Sequence, residues 1–198
     1  MPLNGVVPLH LPRDRRALEA HFAALGSEDL RYRFCGSIKP AGLKQYLDQL
    51  SGPDLPSFGI FHADLRLIAV CQLGQAGGDL EVGVSVLPAF RRKGFAKALL
   101  EHSASHARAQ GLRTLLIHSL VDNTPMLSLA RRMGMSVEVL NGEADGRLKL
   151  RADTDAEGKF GMPGRPARPS QKPDRSLSQW LAPPSPVPLD DPWGDPAG

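Results

Sequence analysis

The sequence predicts an α+β domain, a mixed and mainly antiparallel sheet flanked by helices, followed by a disordered, proline-rich C-terminal tail. Three observations carry this. Short β-rich runs recur between turn signals, stretches of helical periodicity separate several of them, and beyond residue 151 apolar periodicity gives way to proline. A chain of 198 residues with 41% hydrophobic composition fills one core of ordinary size. The expected division is therefore a folded domain over 1–151 and a tail over 152–198.

Val6 to Leu11 reads as a short first strand. Arg13 to Leu25 follows with Ala17, Leu18, His21, Phe22 and Leu25 at helical spacing, closed by Gly26. Ser27, with Glu28 and Asp29 behind it, reads as the N-cap of a second short helix through Phe34. A third helix is expected over Ala41 to Leu50, then a Pro/Gly turn over Ser51 to Pro56. Phe58 to Ala63 and Leu65 to Leu73 form two β-rich runs meeting near Asp64 as a hairpin. Gly74 to Gly78 reads as a turn. Leu80, Val82, Val84 and Val86 then alternate with Glu81, Gly83, Ser85 and Leu87 as a strand ending at Pro88.

Phe95 to Gln110 has helical periodicity through Ala96, Leu99, Leu100, Ser103 and Ala107, and Thr114 to Val121 is a β-branched and leucine-rich strand. Together with the preceding strand they make a β-α-β crossover. Asn123 or Thr124 caps a last helix that has Pro125 in its first turn and ends at Gly134. Met135 to Leu140 and Arg147 to Leu150 close the fold as strands around Asn141-Gly142. From Ala152 the chain holds ten of the eighteen prolines and both tryptophans, Trp180 and Trp193. It reads as a disordered linker, with a protein-binding motif around Leu177 to Leu181 or Leu189 to Trp193 as the second reading.

Composition narrows the function. The formal charge of +3 divides into +5 over residues 1–151 and −2 over the tail. The densest cations, Arg91, Arg92, Lys93 and Lys97, surround one glycine at a helix start, with no basic stripe and no base-stacking aromatics, so a small polyanion is expected and nucleic acid is not. Cys35 and Cys71 form no metal-ligand spacing and no disulfide framework. The start of the chain lacks a signal peptide's pattern and no uncharged apolar run approaches ~18 residues, which predicts a cytoplasmic protein without a membrane partner. His102 and His106 stand four apart, lack a third ligand and fall on the face expected to be exposed, so no metal site is expected.

Arg91-Arg92-Lys93-Gly94-Phe95-Ala96 fits R-x-x-G-x-A at a strand-to-helix junction. Unpaired N–H groups and the positive end of the helix dipole meet there, so a diphosphate can be held. Gly94 permits close backbone approach, and Arg92, Lys93 and Lys97 add charge-assisted contacts. Phe95 and Leu99 are expected to pack inward.

The longer stretch V-x-V-x-P-x-F-R-R-K-G-F-A-x-x-L-L resembles the acetyl-CoA motif of the GNAT superfamily. About thirty residues on, Asn123 to Met135 resembles that superfamily's N-x-x-A-x-x-L-Y-x-x-x-G-F helix. The likeness extends over about Leu3 to Leu150. It implies that Val84, Ser85 and Val86 pair with the pantetheine arm, that the loop from Arg92 to Lys97, with Arg91, takes the pyrophosphate, and that Asn123 contacts the coenzyme. Asn123 has helix capping as its competing role. The segment Leu25-Gly-Ser-Glu28-Asp-Leu-Arg31-Tyr-Arg33-Phe34 resembles the matching stretch of bacterial Pat-type protein lysine acetyltransferases.

The resemblance implies an N-acetyltransferase moving an acetyl group from acetyl-CoA to a primary amine, a protein lysine or a small molecule, by direct attack in a ternary complex. The alternative is a non-catalytic acyl-CoA-binding regulatory module. An amine with a pKa near ~10.4 needs a base. Glu81, on the strand into the loop, and His118, with an unperturbed pKa near ~6.5, are the catalytic candidates. The second readings are a solvent-facing Glu81 and a core His118 bonded to backbone. Ala130 stands where many relatives carry the tyrosine that protonates the departing thiolate.

Overall fold

The computed structural model describes residues 5–50, 56–76 and 79–150. Along them run β1 (Val7–Leu9), α1 (Arg15–Ala23), α2 (Ser27–Phe34), α3 (Pro40–Gln49), β2 (Ser57–Phe61), β3 (Leu67–Ala76) and β4 (Asp79–Val86). A 3₁₀ turn over Pro88–Phe90 leads to α4 (Phe95–Ala109), β5 (Thr114–Leu120), α5 (Thr124–Arg132), β6 (Ser136–Leu140) and β7 (Glu143–Lys149). The strands make one sheet in the order β1-β2-β3-β4-β5-β7-β6. Only β4 and β5 run parallel, because α4 fills the crossover between them. The sheet is the mixed, mainly antiparallel one that the sequence predicts.

Three local expectations are corrected. β3 does not turn at Gly74 but runs on to Ala76, with Gly74 opposite Glu81 and Gln75 opposite Leu80; continuing the ladder satisfies backbone groups that a turn would leave to water. β7 starts at Glu143 rather than Arg147, since it pairs with β5 on one side and β6 on the other along its length. Ser27 is the first helical residue of α2, not its cap, and Gly26 precedes it in extended conformation. The β6–β7 hairpin turns on Asn141-Gly142, at φ 51° and 86°, the two left-handed residues of the tight turn that matches strand twist. The expected turn at 51–55, residues 77–78 and the tail lie outside the described residues.

Helices cover the sheet on two sides. On one face α1, α2 and α3 bring Phe22, Phe34 and Tyr46 together, with Phe34 and Tyr46 ring centroids 5.0 Å apart, edge to face. On the other lie α4 and α5. Cys71 is fully buried there, its sulfur 3.5 Å from the Ser103 hydroxyl on α4. His102 and His106 are not on an open face as the periodicity predicts. They sit half-buried against Phe58 of β2, at ring distances of 4.5 and 5.3 Å, because α4 lies close enough to the sheet for β2 to reach that edge of the helix. No helix of the described residues is long and apolar enough to cross a membrane.

Candidate functional site

The site begins where the sheet comes apart. β4 and β5 pair only at Leu80↔Leu115 and Glu81↔Leu116, after which they diverge. Val82 to Val86 therefore has a ladder to β3 on one side and, among the described residues, no partner strand on the other. An unpaired edge in the middle of a sheet is a place for an extended ligand to pair as a strand does. Val84 and Ser85 are buried on this stretch, and Val86 is half-buried at its end.

Side chains alternate along β4, so Glu81, Gly83 and Ser85 share the face under α1 and α2. Leu116 stands beside Glu81, and His118, two residues further along β5, faces the same way. Both candidate bases thus flank the mouth of the fork from its two limbs. Glu81 is buried, not turned to solvent. His118 is half-buried and bonds to a side chain rather than to backbone: its Nδ1 lies 2.7 Å from Asp145 Oδ1 on β7.

Residues that sequence reasoning missed complete this face. His21, which periodicity places among the apolar positions of α1, is a buried polar group. Its Nδ1 is 2.9 Å from the carbonyl oxygen of Leu67, which can only accept, so Nδ1 carries the proton and Nε2 accepts from the Ser85 hydroxyl at 2.8 Å. Burial holds the ring neutral, its pKa lowered to about 4. Arg33 lies flat over Gly83: a Cβ on that glycine would stand 2.4 Å from the guanidinium carbon. Its Nη2 donates to Gln72 Oε1 at 2.6 Å and to the Tyr46 hydroxyl at 2.8 Å. The signal for it was available, since a glycine inside a β-branched strand marks close approach by another group. Cys35, at the end of α2, looks onto the same place. Burial pushes its thiol up to about 11, with Glu143, Glu81 and Asp145 adding to the effect and Arg33 opposing it.

Beyond β4 the chain enters the basic loop. Arg92 and Gly94 are both left-handed, at φ 61° and 85°. Gly94 is the N-cap of α4, there is no side-chain cap and no acid in the first turn. The N–H groups of Phe95, Ala96 and Lys97 precede the first bond of the helix, from Ala98 N to Gly94 O, so they face outward without carbonyl partners. A Cβ on Gly94 would meet nothing within 4 Å. The cations are not alike. Arg92 is exposed, and Lys93 reaches over the Phe90 ring at 5.3 Å. Lys97 pairs with Glu101 at 2.8 Å. Arg91 is engaged by the fold, its Nε donating to the Val86 carbonyl at 3.1 Å and its Nη2 pairing with Asp29 at 2.7 Å. Phe95 and Ala96 are half-buried, and Leu99 is fully buried.

α2 spans the fork. Asp29 holds the loop after β4 through Arg91, and Arg31 holds the loop after β5 through Asp122 at 2.5 Å. Next to Asp122, Asn123 caps α5, its Oδ1 accepting from Met126 N at 3.3 Å. Its amide nitrogen has no partner among the described residues. Ala130 is buried on the opposite face, packed toward Gly146 and Ile117 of the sheet. Among the described residues no group of three His, Cys, Asp or Glu side chains could hold a metal ion.

The sequence model of the acetyltransferase (GNAT) family matches residues 28–135, more than half of the chain. In structure the chain is similar to the GNAT domain of S. lividans PAT, with a TM-score of 0.65 and 21% identity over 73% of this chain and 89% of that one. It is similar to the spermidine N-acetyltransferase of Vibrio cholerae, solved with CoA and spermine, at 0.57 and 18% over 73% and 95%. A GNAT superfamily phosphinothricin acetyltransferase from Sinorhizobium meliloti, solved with AcCoA, matches at 0.58 and 16% over 80% and 95%. At such identities these likenesses are of fold. No curated protein matches the sequence.

Proposed function

That the chain belongs to the GNAT acetyltransferase family is the premise from which we propose its reaction: an amine, a protein lysine first among the candidates, is acetylated by direct attack within a ternary complex. The family gives the class, an acyl-CoA-dependent N-acyltransferase with acetyl-CoA as donor. The observation that carries the mechanism is the fork, whose unpaired β4 edge ends at an uncapped helix start and whose mouth is flanked by Glu81 and His118. The resemblance of residues 25–34 to Pat-type enzymes favours lysine. The Vibrio cholerae spermidine N-acetyltransferase, of like fold, keeps small amines beside it.

The residues present fit the donor. The edge over Val84, Ser85 and Val86 offers backbone groups to a pantetheine arm. The amides of Phe95, Ala96 and Lys97 and the exposed Arg92 and Lys93 suit a pyrophosphate, and the bare Cα of Gly94 leaves it room. Arg91 acts indirectly, by holding the loop against β4 and α2. Asn123 has its amide nitrogen to give while its oxygen caps α5. When bound, acetyl-CoA supplies an activated acyl carbon and a sulfur that leaves readily. Glu81 or His118 takes the proton that the amine must lose. Ala130 has none to return, so protonation of the departing sulfur falls to solvent.

The test is an acceptor screen by thiol release, with small amines and peptide pools side by side, preceded by thermal shift with acetyl-CoA. Acetyl-CoA is expected to raise Tm, and at least one amine to release CoA. No Tm rise, or no release with any amine, would sink the reading. Gly94→Ala is expected to weaken acetyl-CoA binding about tenfold or more while the fold survives a strain of about 1 kcal/mol; unchanged affinity would count against the pyrophosphate site. His118→Ala or Glu81→Gln, whichever removes the base, is expected to lower kcat by at least about 10²-fold with acetyl-CoA affinity retained. Full activity in both variants would exclude both residues.

A further inference from the structure

His118 is held between two carboxylates of β7. Directly across the ladder, Asp145 Oδ1 lies 2.7 Å from Nδ1. One step along, Glu143 Oε2 lies 3.6 Å from Nε2. The two distances mean different things. At 2.7 Å a carboxylate accepts an N–H, so Asp145 places the ring proton on Nδ1 and leaves the Nε2 lone pair pointing toward Glu143. At 3.6 Å two acceptors face each other with no proton between them, beyond hydrogen-bonding reach. Such a gap suits one nitrogen donor that touches both, at about 2.9 Å from each. The two carboxylates are about half exposed, and His118 less so, so a solute can reach the gap from outside the fork.

We propose that Asp145, His118 and Glu143 form a unit that takes the acceptor amine in its ammonium form and deprotonates it, with Glu143 as its anchor, His118 Nε2 as the proton acceptor and Asp145 as the positioning residue. This rests on the acetyltransferase reading and deepens it. The amine arrives as R–NH₃⁺, the form that dominates at neutral pH. One proton passes to Nε2, leaving a neutral nitrogen and an imidazolium that Asp145 stabilises. The nitrogen lone pair then forms the N–C bond to the acyl carbon as the C–S bond breaks. The second proton leaves with the nitrogen's charge, and the sulfur takes one up from solvent. Per turnover one ammonium and one thioester give one amide, one thiol and one net proton. The unit therefore selects cationic amines over neutral nucleophiles such as alcohols.

Other charged groups lie around the unit and enter any pH profile. Arg147 on β7 stands 3.7 Å from Asp145 Oδ2. Glu138 on β6 is in register with Asp145. At the end of α2, Cys35 interacts electrostatically with Asp145 and Glu143 of this unit, as well as with Arg33 and Glu81.

Two measurements on the full chain decide it. In ¹⁵N NMR of the free protein, the neutral His118 ring is expected to show the Nδ1–H tautomer, and Asp145→Asn to shift that balance toward Nε2–H. With acetyl-CoA and two acceptor probes, spermine and a lysine-rich peptide pool, Asp145→Asn is expected to lower kcat about 10- to 100-fold and to displace the acidic limb of the pH profile. Asp145→Glu should restore part of the rate. Glu143→Gln is expected to raise KM for the amine several-fold more than it lowers kcat, with KM for acetyl-CoA unchanged in every variant. An Nε2–H tautomer in the wild type, or an unshifted pH profile in Asp145→Asn, overturns the proposal. Absence of acetyl-CoA binding by the wild type overturns the acetyltransferase reading instead, and the tautomer still reports on the unit.

Discussion

Replacing Gly83 by alanine is expected to cost about 3 kcal/mol of stability and to lower Tm by on the order of 10 °C. The new Cβ would stand 2.4 Å from the Arg33 guanidinium carbon and 2.5 Å from Nη1. A guanidinium at the end of a long side chain ordinarily moves aside cheaply, but this one does not have that freedom. It is bonded to Gln72 and Tyr46, and it lies against the faces of Phe34 and Tyr46, 4.9 and 5.7 Å from their centroids. Displacing it leaves a cation and the fully buried Gln72 without their partners. A double-mutant cycle isolates the cause. Gly83→Ala made in an Arg33→Leu background should cost at least about 1 kcal/mol less than in the wild type. Equal costs in the two backgrounds would mean that Arg33 is not what the glycine accommodates.

A second large effect is expected from pH. The unfolded chain binds a proton on His21 below about 6.5, whereas in the native state burial between α1, β3 and Ser85 lowers that pKa to about 4. Between those values the unfolded state holds more protons, so acid favours unfolding. The contribution of His21 is intact above about pH 6.5, declines as pH falls, and has lost about 2 to 3 kcal/mol by pH 4.5. Carboxylates add their own slope; Asp48, bonded to Lys44 and Arg15, is held below its usual range. Comparison with His21→Gln removes them, since they are common to both proteins. Urea unfolding at pH 7.0 and 4.5 should show a loss in the wild type larger by about 2 kcal/mol than in the variant. The same loss in both would show that His21 takes up its proton without resisting it. The consequence reaches the fork, because the neutral ring holds the Ser85 hydroxyl on the β4 edge.

Much of the fold was legible because its signals are local. The alternation over Leu80 to Leu87, the helical spacing after Gly94 and the Asn141-Gly142 turn each depend on a few neighbouring residues, and the structure places elements at all three. The errors share one cause. Gly74 carries a turn signal and the sequence pattern starts the last strand at Arg147, yet both residues lie inside strands because partners distant in sequence, β4 for one and β5 and β6 for the other, continue the ladder past them.

The candidate site divides in the same way. By itself the sequence determined the family and the basic helix start proposed for the coenzyme, because an anion-binding helix start is built from consecutive residues: a strand, a glycine and the first turn of a helix. It could name Glu81 and His118 as titratable groups near that loop. Only the tertiary structure decided what surrounds them. Gly83 is vacant for Arg33, fifty residues away, His21 reaches Ser85, and Asp145 finds His118 through the register of β5 and β7. Each of these contacts depends on which strands pair and which face is covered, long-range choices made by burying the whole core at once. No run of neighbouring residues encodes them.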